Sequence, residues 1–247
     1  TLVHVLTEWL EANEHPKRFD AALGERLAAA YVAQLPQARR WGPTSRAAVA
    51  RLMQGAAWNA SGDACQPTNG AAMRAAPLGL WWAATGASPQ EALAFIYPIL
   101  AITHRHPTAL VAGFGQAFAV AEVLRTPPNA FAAHLFWQHL LQLTTWAESA
   151  LGDVSAACSR RLRLLQPHLH DVPLDLQDLC NGTGTQADES WPFAVAMFVR
   201  NPDLIEATLL SAINVGGDTD TIGAMVGALL GARHGWSAFP ESWRRGL

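Results

Sequence analysis

The stretch "INVGGDTDTIG", Ile213 to Gly223, decides how this chain is read. A Gly-Gly pair ends one apolar run, two aspartates follow, and a second apolar run begins at once. Gly216-Gly217 allows positive φ, so the pattern predicts a helix, a tight turn and a second helix beginning near Thr219 or Thr221. Further on, Gly223, Gly227 and Gly231 recur every fourth residue, with Ala224, Ala228 and Ala232 beside them. That spacing lines one helix face with glycine and predicts very close packing by neighbouring helices. Each glycine costs roughly 1 kcal/mol of helix propensity against alanine, which the packing must offset.

The two carboxylates pose the chemical question. Like charges this close repel, so a cation or a proton should hold Asp218 and Asp220 together. One reading makes Asp218 an N-cap and Asp220 a first-turn acid that complements the helix dipole. The other makes Asp218, Asp220 and the Thr221 hydroxyl three oxygen ligands of a hard cation, Mg²⁺ or Mn²⁺. Spacing alone leaves both open.

Outward from this stretch, helix follows helix. Leu2, Leu6, Trp9 and Leu10 fall at helical spacing, and Asp20 is placed to cap a helix carrying Leu23, Leu27 and Tyr31. Ser88-Pro89-Gln90-Glu91 reads as a capping box. Pro107 starts a helix running towards Leu124. Asn129 opens another, with Phe131, Leu135 and His139 on one side. Ser190-Trp191-Pro192 and Asn201-Pro202 mark two more starts. Strand-like alternation is almost absent and no repeat period stands out. The expectation is one compact all-α domain over residues 1–247, with about ten helices.

Composition bounds the function. The chain has 247 residues, 50% hydrophobic and 15% charged, with net charge −3. That is enough for one large core or two small ones. The charge argues against a nucleic-acid or anionic-membrane partner. The pairs Arg39-Arg40, Arg160-Arg161 and Arg244-Arg245 read as solvated faces. No stretch reaches the roughly 20 apolar residues of a membrane span, and the longest candidate, Pro107 to Ala121, is interrupted by Gln116 and glycines. Cys65, Cys158 and Cys180 make no C-x-x-C, which predicts a reducing, cytoplasmic home.

Four segments in order carry a resemblance. "GGDTDTIGAMVGALLGARHG" (Gly216 to Gly235) looks like the C-terminal signature of the ADP-ribosylglycohydrolase family. "TNGAAMRAAPLGL" (Thr68 to Leu80) resembles its Asn-Gly-x-x-Met-Arg segment, "THRHP" (Thr103 to Pro107) its Thr-His-x-x-Pro segment, and "GTGTQADESWPFAV" (Gly182 to Val195) its glycine-rich loop. The resemblance implies an all-helical hydrolase of the glycosidic bond between ADP-ribose and a protein side chain or other acceptor, with two Mg²⁺ ions. Asp218, Asp220 and Thr221 would be metal ligands. Asn69, Gly70 and Ala71 would form a turn before a helix whose free N–H groups take the diphosphate, followed by Met73. His104 would lie near the adenosine or distal ribose, and Gly182, Thr183 and Gly184 would admit the ligand closely. Plainer roles stand beside these: an ordinary turn for Asn69-Gly70, a structural His104, and a flexible loop at Gly182-Thr183-Gly184. Arg74 is expected to hold a carboxylate or backbone, and Asp63 to be a loop acid. His104-x-His106 as a transition-metal pair lacks a third ligand.

The family also carries a Gly-Asp-Ala-hydrophobic-Gly segment and a Thr-Asp-Asp-Thr or Ser-Asp-Asp-Thr motif near its start, and neither is within these residues. The expectation is that Thr1 is the last Thr of that motif, with the paired acids ahead of it or on a separate N-terminal fragment. The alternative is a catalytically impaired ADP-ribose-binding or crystallin-like structural member.

Overall fold

The computed structural model describes residues 2–13, 16 and 18–246. Thr1, expected to end a metal-binding motif, lies outside the described residues, as does the side chain of Leu2. Among these described residues thirteen α-helices run in chain order. They are α1 (Leu2–Ala12), α2 (Ala21–Gln34), α3 (Pro43–Met53), α4 (Ala76–Thr85), α5 (Pro89–Ala101), α6 (Pro107–Arg125) and α7 (Ala133–Leu151). There follow α8 (Ala157–Leu165), α9 (Pro173–Leu179), α10 (Ala187–Arg200), α11 (Ile205–Asn214), α12 (Thr219–His234) and α13 (Glu241–Arg244). The all-α reading holds: among the described residues only two isolated bridges, Asp63 to His104 and Thr68 to Gln186, stand in place of strands. The count exceeds ten because short helices such as the seven-residue α9 and four-residue α13 are too brief to show a periodic pattern.

Helix α6 is the axis. It packs against α4, α7, α12 and α10. On one side lies an apolar cluster that includes Leu6, Leu27, Trp82 and Phe95; on the other lies a second, with Trp137, Leu162, Phe198 and Leu229. Burying each such side chain stabilises by roughly 1.5–3 kcal/mol. Contrary to the expectation, α6 is long and apolar enough for a membrane span by length and composition, and 78% of that window is buried inside the protein. Two-sided burial accounts for its composition. Gln116 does not break it: its amide donates to the Met225 carbonyl of α12 at 3.1 Å, a buried tie between the two helices.

Several starts fall where capping chemistry put them. Asp20 accepts from the Leu23 N–H at 2.8 Å, and Ser88 and Glu91 complete a reciprocal capping box. Others move. Asn129 sits in a short 3-10 turn and α7 begins at Ala133; its buried face is Phe136, Trp137 and Leu140, while Leu135 and His139 are exposed. Helix α10 begins at Ala187, before Ser190, because the Ala187 N–H pairs with the Pro67 carbonyl at 2.7 Å; Pro192 lies inside the helix. Helix α11 starts at Ile205, with Asn201 instead accepting from the Thr208 hydroxyl.

The glycine stripe of α12 is closely packed only at its start, where a Cβ on Gly223 would lie 3.3 Å from the Ile213 side chain. A Cβ on Gly227 would meet nothing within 4 Å, and one on Gly231 would only touch Phe239. That face is partly open, and α12 buries Ile222, Met225, Val226, Leu229 and Leu230 instead. Close approach occurs on α4 and α6. A Cβ on Gly115 would lie 2.4 Å from the Trp191 ring, and one on Gly79 would lie 2.6 Å from the Ala117 carbonyl.

Candidate active site

Four chain segments converge on one cavity of about 600 Å³. The turn between α11 and α12 brings the acids. Gly216 and Gly217 take φ of +97° and +79°, as the Gly-Gly pair required. Asp218 then occupies the N-cap position of α12, but its carboxylate makes no capping bond. It accepts instead from the Asn69 side-chain amide at 2.7 Å. Asp220 accepts from the N–H of its neighbour Thr221 at 2.9 Å. Asp218, Asp220 and Thr221 all line the cavity.

The Asn69 turn forms the adjoining wall. Asn69 is 5% exposed, and its amide also donates to the Ser190 hydroxyl at 3.0 Å. After Ala71 comes a three-residue 3-10 turn, Ala72–Arg74, where a helix was expected. Pro77 explains this, because its ring conflicts with a helical carbonyl four residues earlier; α4 begins only at Ala76. Asn69, Gly70 and Met73 line the cavity, whereas Ala71 is fully buried behind it. The Met73 sulfur accepts from the Thr221 hydroxyl at 3.6 Å.

Arg74 supports this wall from behind. It is completely buried and donates to the Gly70 carbonyl at 2.7 Å, the Leu100 carbonyl at 3.2 Å and the Thr103 hydroxyl at 2.5 Å. It therefore holds backbone, as expected. Because Thr103 accepts from Arg74, its own proton is free for His104 Nδ1 at 2.8 Å. His104 is then protonated on Nε2. Burial, reinforced by the nearby Arg74 charge, pushes its pKa well below the usual histidine value, so the ring is neutral. Nε2 stands against Gly70, where a Cβ would lie 2.7 Å away. His106 turns aside and accepts from the Thr108 N–H at the start of α6.

Asp218 is half-buried, and its pKa is raised. Desolvation is the main cause, and the neighbouring Asp220 pushes the same way, while the bonds from Asn69 and Thr221 oppose it. Two carboxylates and a hydroxyl at a helix N-terminus, one carboxylate held partly out of water, make an oxygen donor set suited to a hard divalent cation. Among the described residues no three or more His, Cys, Asp or Glu side chains cluster as a metal cage.

Other expected residues sit differently. Gly182, Thr183 and Gly184 are not on the cavity wall; Thr183 is fully buried, and the loop reaches the wall through Thr185. Trp191 is buried against α6. Asp63 accepts from the Cys65 and Gln66 N–H groups, as a loop acid does. Sequence reasoning missed Arg39 and Arg40, which are exposed yet line the mouth, and Thr44 and Ser45 at the start of α3. The signal available was Gly42-Pro43, a helix start directly after the arginine pair. Val3 of α1 also lies on the wall.

Known proteins resemble this chain in sequence and in fold. The ADP-ribosylglycohydrolase family model matches residues 2–247. ADP-ribosylhydrolase ARH3 of Bos taurus is 30% identical over 197 residues, covering 72% of this chain and 52% of that protein. An uncharacterised protein of Archaeoglobus fulgidus is 29% identical, covering 85% of this chain and 62% of that protein. A solved structure titled ADP-ribosylglycohydrolase-related protein complex superposes with a TM-score of 0.70 at 26% identity, covering 100% of this chain and 74% of that chain. The chain spans about half the length of the ARH3 relative it matches. With the profile matched almost from end to end, the chain belongs to the ADP-ribosylglycohydrolase family.

Proposed function

We propose that this cavity is the substrate site of a Mg²⁺-dependent hydrolase that cleaves the bond between the terminal ribose of ADP-ribose and a modified protein side chain or other acceptor, removing mono-ADP-ribose. The supporting observation is that Asn69, His104 and the Asp218-Asp220-Thr221 group, from three distant segments, share one cavity. In this reading Asp218, Asp220 and Thr221 hold part of a two-ion centre, in which Mn²⁺ could replace Mg²⁺. Val3 of α1 lines the same cavity. When bound, the cations would orient the ribose hydroxyls and polarise the scissile bond or an attacking water.

The chain's own side chains have distinct tasks. The Asn69 amide fixes one Asp218 oxygen and leaves the other for a ligand. The Thr221 hydroxyl has its one proton between the Met73 sulfur and Asp218, and with either acceptor its oxygen lone pairs remain available. Neutral His104 offers an Nε2–H rather than a charge. Arg39 and Arg40 at the mouth suit an anionic substrate such as a diphosphate. A cytoplasmic setting fits Cys65, Cys158 and Cys180, all of them unpaired.

Asp218→Ala and Asp220→Ala in the full-length protein test the reading. Both should abolish Mg²⁺-dependent release of ADP-ribose while the helical circular dichroism persists. Normal turnover in both variants overturns the metal assignment. Tight ADP-ribose binding by the unsubstituted protein, with no hydrolysis, would make it a binding module instead.

A further inference from the structure

Thr183 carries two costs at once. It is a β-branched residue in the left-handed region, with φ of +54°. Its side chain is fully buried, and its hydroxyl has no hydrogen-bond partner among the described residues. A residue so placed persists only where the surroundings hold it in that conformation. Here they do: the Thr183 N–H donates to the Cys180 carbonyl at 3.1 Å, the Gly184 N–H to Glu189 at 3.3 Å, and the Gln177 amide to the Gly182 carbonyl at 3.4 Å.

The loop meets the site through two carbonyls. The Thr183 carbonyl accepts from the Asp218 N–H at 2.9 Å, and the Thr185 carbonyl accepts from the Asn69 N–H at 2.9 Å. These are the backbones of the two residues whose side chains meet at 2.7 Å. Gly217 closes the arrangement. A Cβ there would lie 2.3 Å from the Thr183 hydroxyl oxygen, 2.5 Å from the Thr183 carbonyl and 2.6 Å from the Gly182 carbonyl. The Asp218 backbone, at ψ 69°, is thereby held in an orientation whose side chain makes no capping bond to α12 and is turned to Asn69.

We propose that Thr183 is a positioning residue: the loop from Thr183 to Thr185 is a clamp that sets the Asn69–Asp218 pair and aims the Asp218 carboxylate, without itself touching the ligand. This rests on the reading of Asp218 as a metal ligand. The strain and the unpaired hydroxyl are the local cost of a rigid grip on both sides of the pair.

Two variants of the full-length protein test it, Thr183→Gly and Gly217→Ala, with Asp218→Asn as reference. Mn²⁺ binding is measured by electron paramagnetic resonance, and folding by urea denaturation. Thr183→Gly adds no atom and removes the strain, so the unfolding midpoint should hold or rise while Mn²⁺ affinity falls about ten-fold. Gly217→Ala should lower Mn²⁺ affinity at least as far; if it fails to fold, Thr183→Gly alone carries the test. In an Asp218→Asn background, Thr183→Gly should produce no further loss, because the group it aims is gone. Unchanged Mn²⁺ affinity in Thr183→Gly, with loss in Asp218→Asn, overturns the clamp and leaves the metal reading standing. Failure of the unsubstituted protein to bind Mn²⁺ overturns the metal reading and the clamp with it.

Discussion

The Asn69 side-chain amide and the Asp218 carboxylate meet at 2.7 Å, although 149 residues separate them along the chain. A hydrogen bond to a carboxylate from a residue itself fixed by Ser190 gives the acid one orientation. Asn69→Ala is therefore expected to keep the fold, with a stability loss of about 1 kcal/mol. Its Mn²⁺ affinity should fall about ten-fold. Calorimetric titration checks the second outcome and urea denaturation the first.

Gly70 is required by what stands behind it. A methyl group there would come within 2.7 Å of His104 Nε2 and 2.8 Å of Cε1, on a ring that is 1% exposed. Gly70→Ala should cost about 1–3 kcal/mol through overpacking and push the Asn69 turn into the cavity. ADP-ribose binding should weaken more than stability does, as calorimetry and thermal melting together would show.

Arg74 is a structural cation. Three of its contacts are the Gly70 and Leu100 carbonyls and the Thr103 hydroxyl, all buried. Arg74→Met would take a donor from each, although the Leu100 carbonyl still accepts from the Thr103 and His104 N–H groups, at about 1–3 kcal/mol for each acceptor left unpaired. Arg74→Lys lacks the planar fork that reaches two directions at once. Both variants should lower the urea midpoint, Met more than Lys, with total losses of about 3 kcal/mol or more for Met.

His104 makes stability depend on pH. The unfolded chain takes up a proton on this ring near the ordinary value of 6.5, while the folded ring does so only well below it. Between those two values the unfolded state binds more protons. The contribution is fully present above 6.5 and is lost as the pH falls towards the folded value. His104→Asn, which keeps an acceptor for Thr103, should flatten that acid-side slope whatever it does to absolute stability. Urea midpoints measured from pH 7 down to about pH 5 give the comparison.

Helical class, many caps and the acidic turn were legible because they rest on local chemistry: Asp20, the Ser88–Glu91 box and the Gly216-Gly217 turn each act within a few residues. The glycine stripe of α12 misled at Gly227 and Gly231, because period-four glycine reports a bare face and not what lies opposite it. The start of α10 was hidden because the Pro67 carbonyl, more than a hundred residues upstream, sets it. The same holds for the site. The aspartates were visible as an adjacent pair, but nothing local links Asp218 to Asn69, Thr221 to Met73, or Arg39 and Arg40 to the cavity mouth. The family resemblance supplied some of those residues. It did not supply the distinction between Thr185 on the wall and Thr183 buried behind it.

Titration of ADP-ribose into the full-length protein, with and without Mg²⁺, tests the central claim most directly when repeated on Asp218→Asn and Asp220→Asn. The expected result is saturable binding that Mg²⁺ strengthens in the unsubstituted protein, with the Mg²⁺ effect lost in both variants while helicity is retained. Binding that is indifferent to Mg²⁺ and equal in all three proteins would contradict the assignment of these acids to a metal centre.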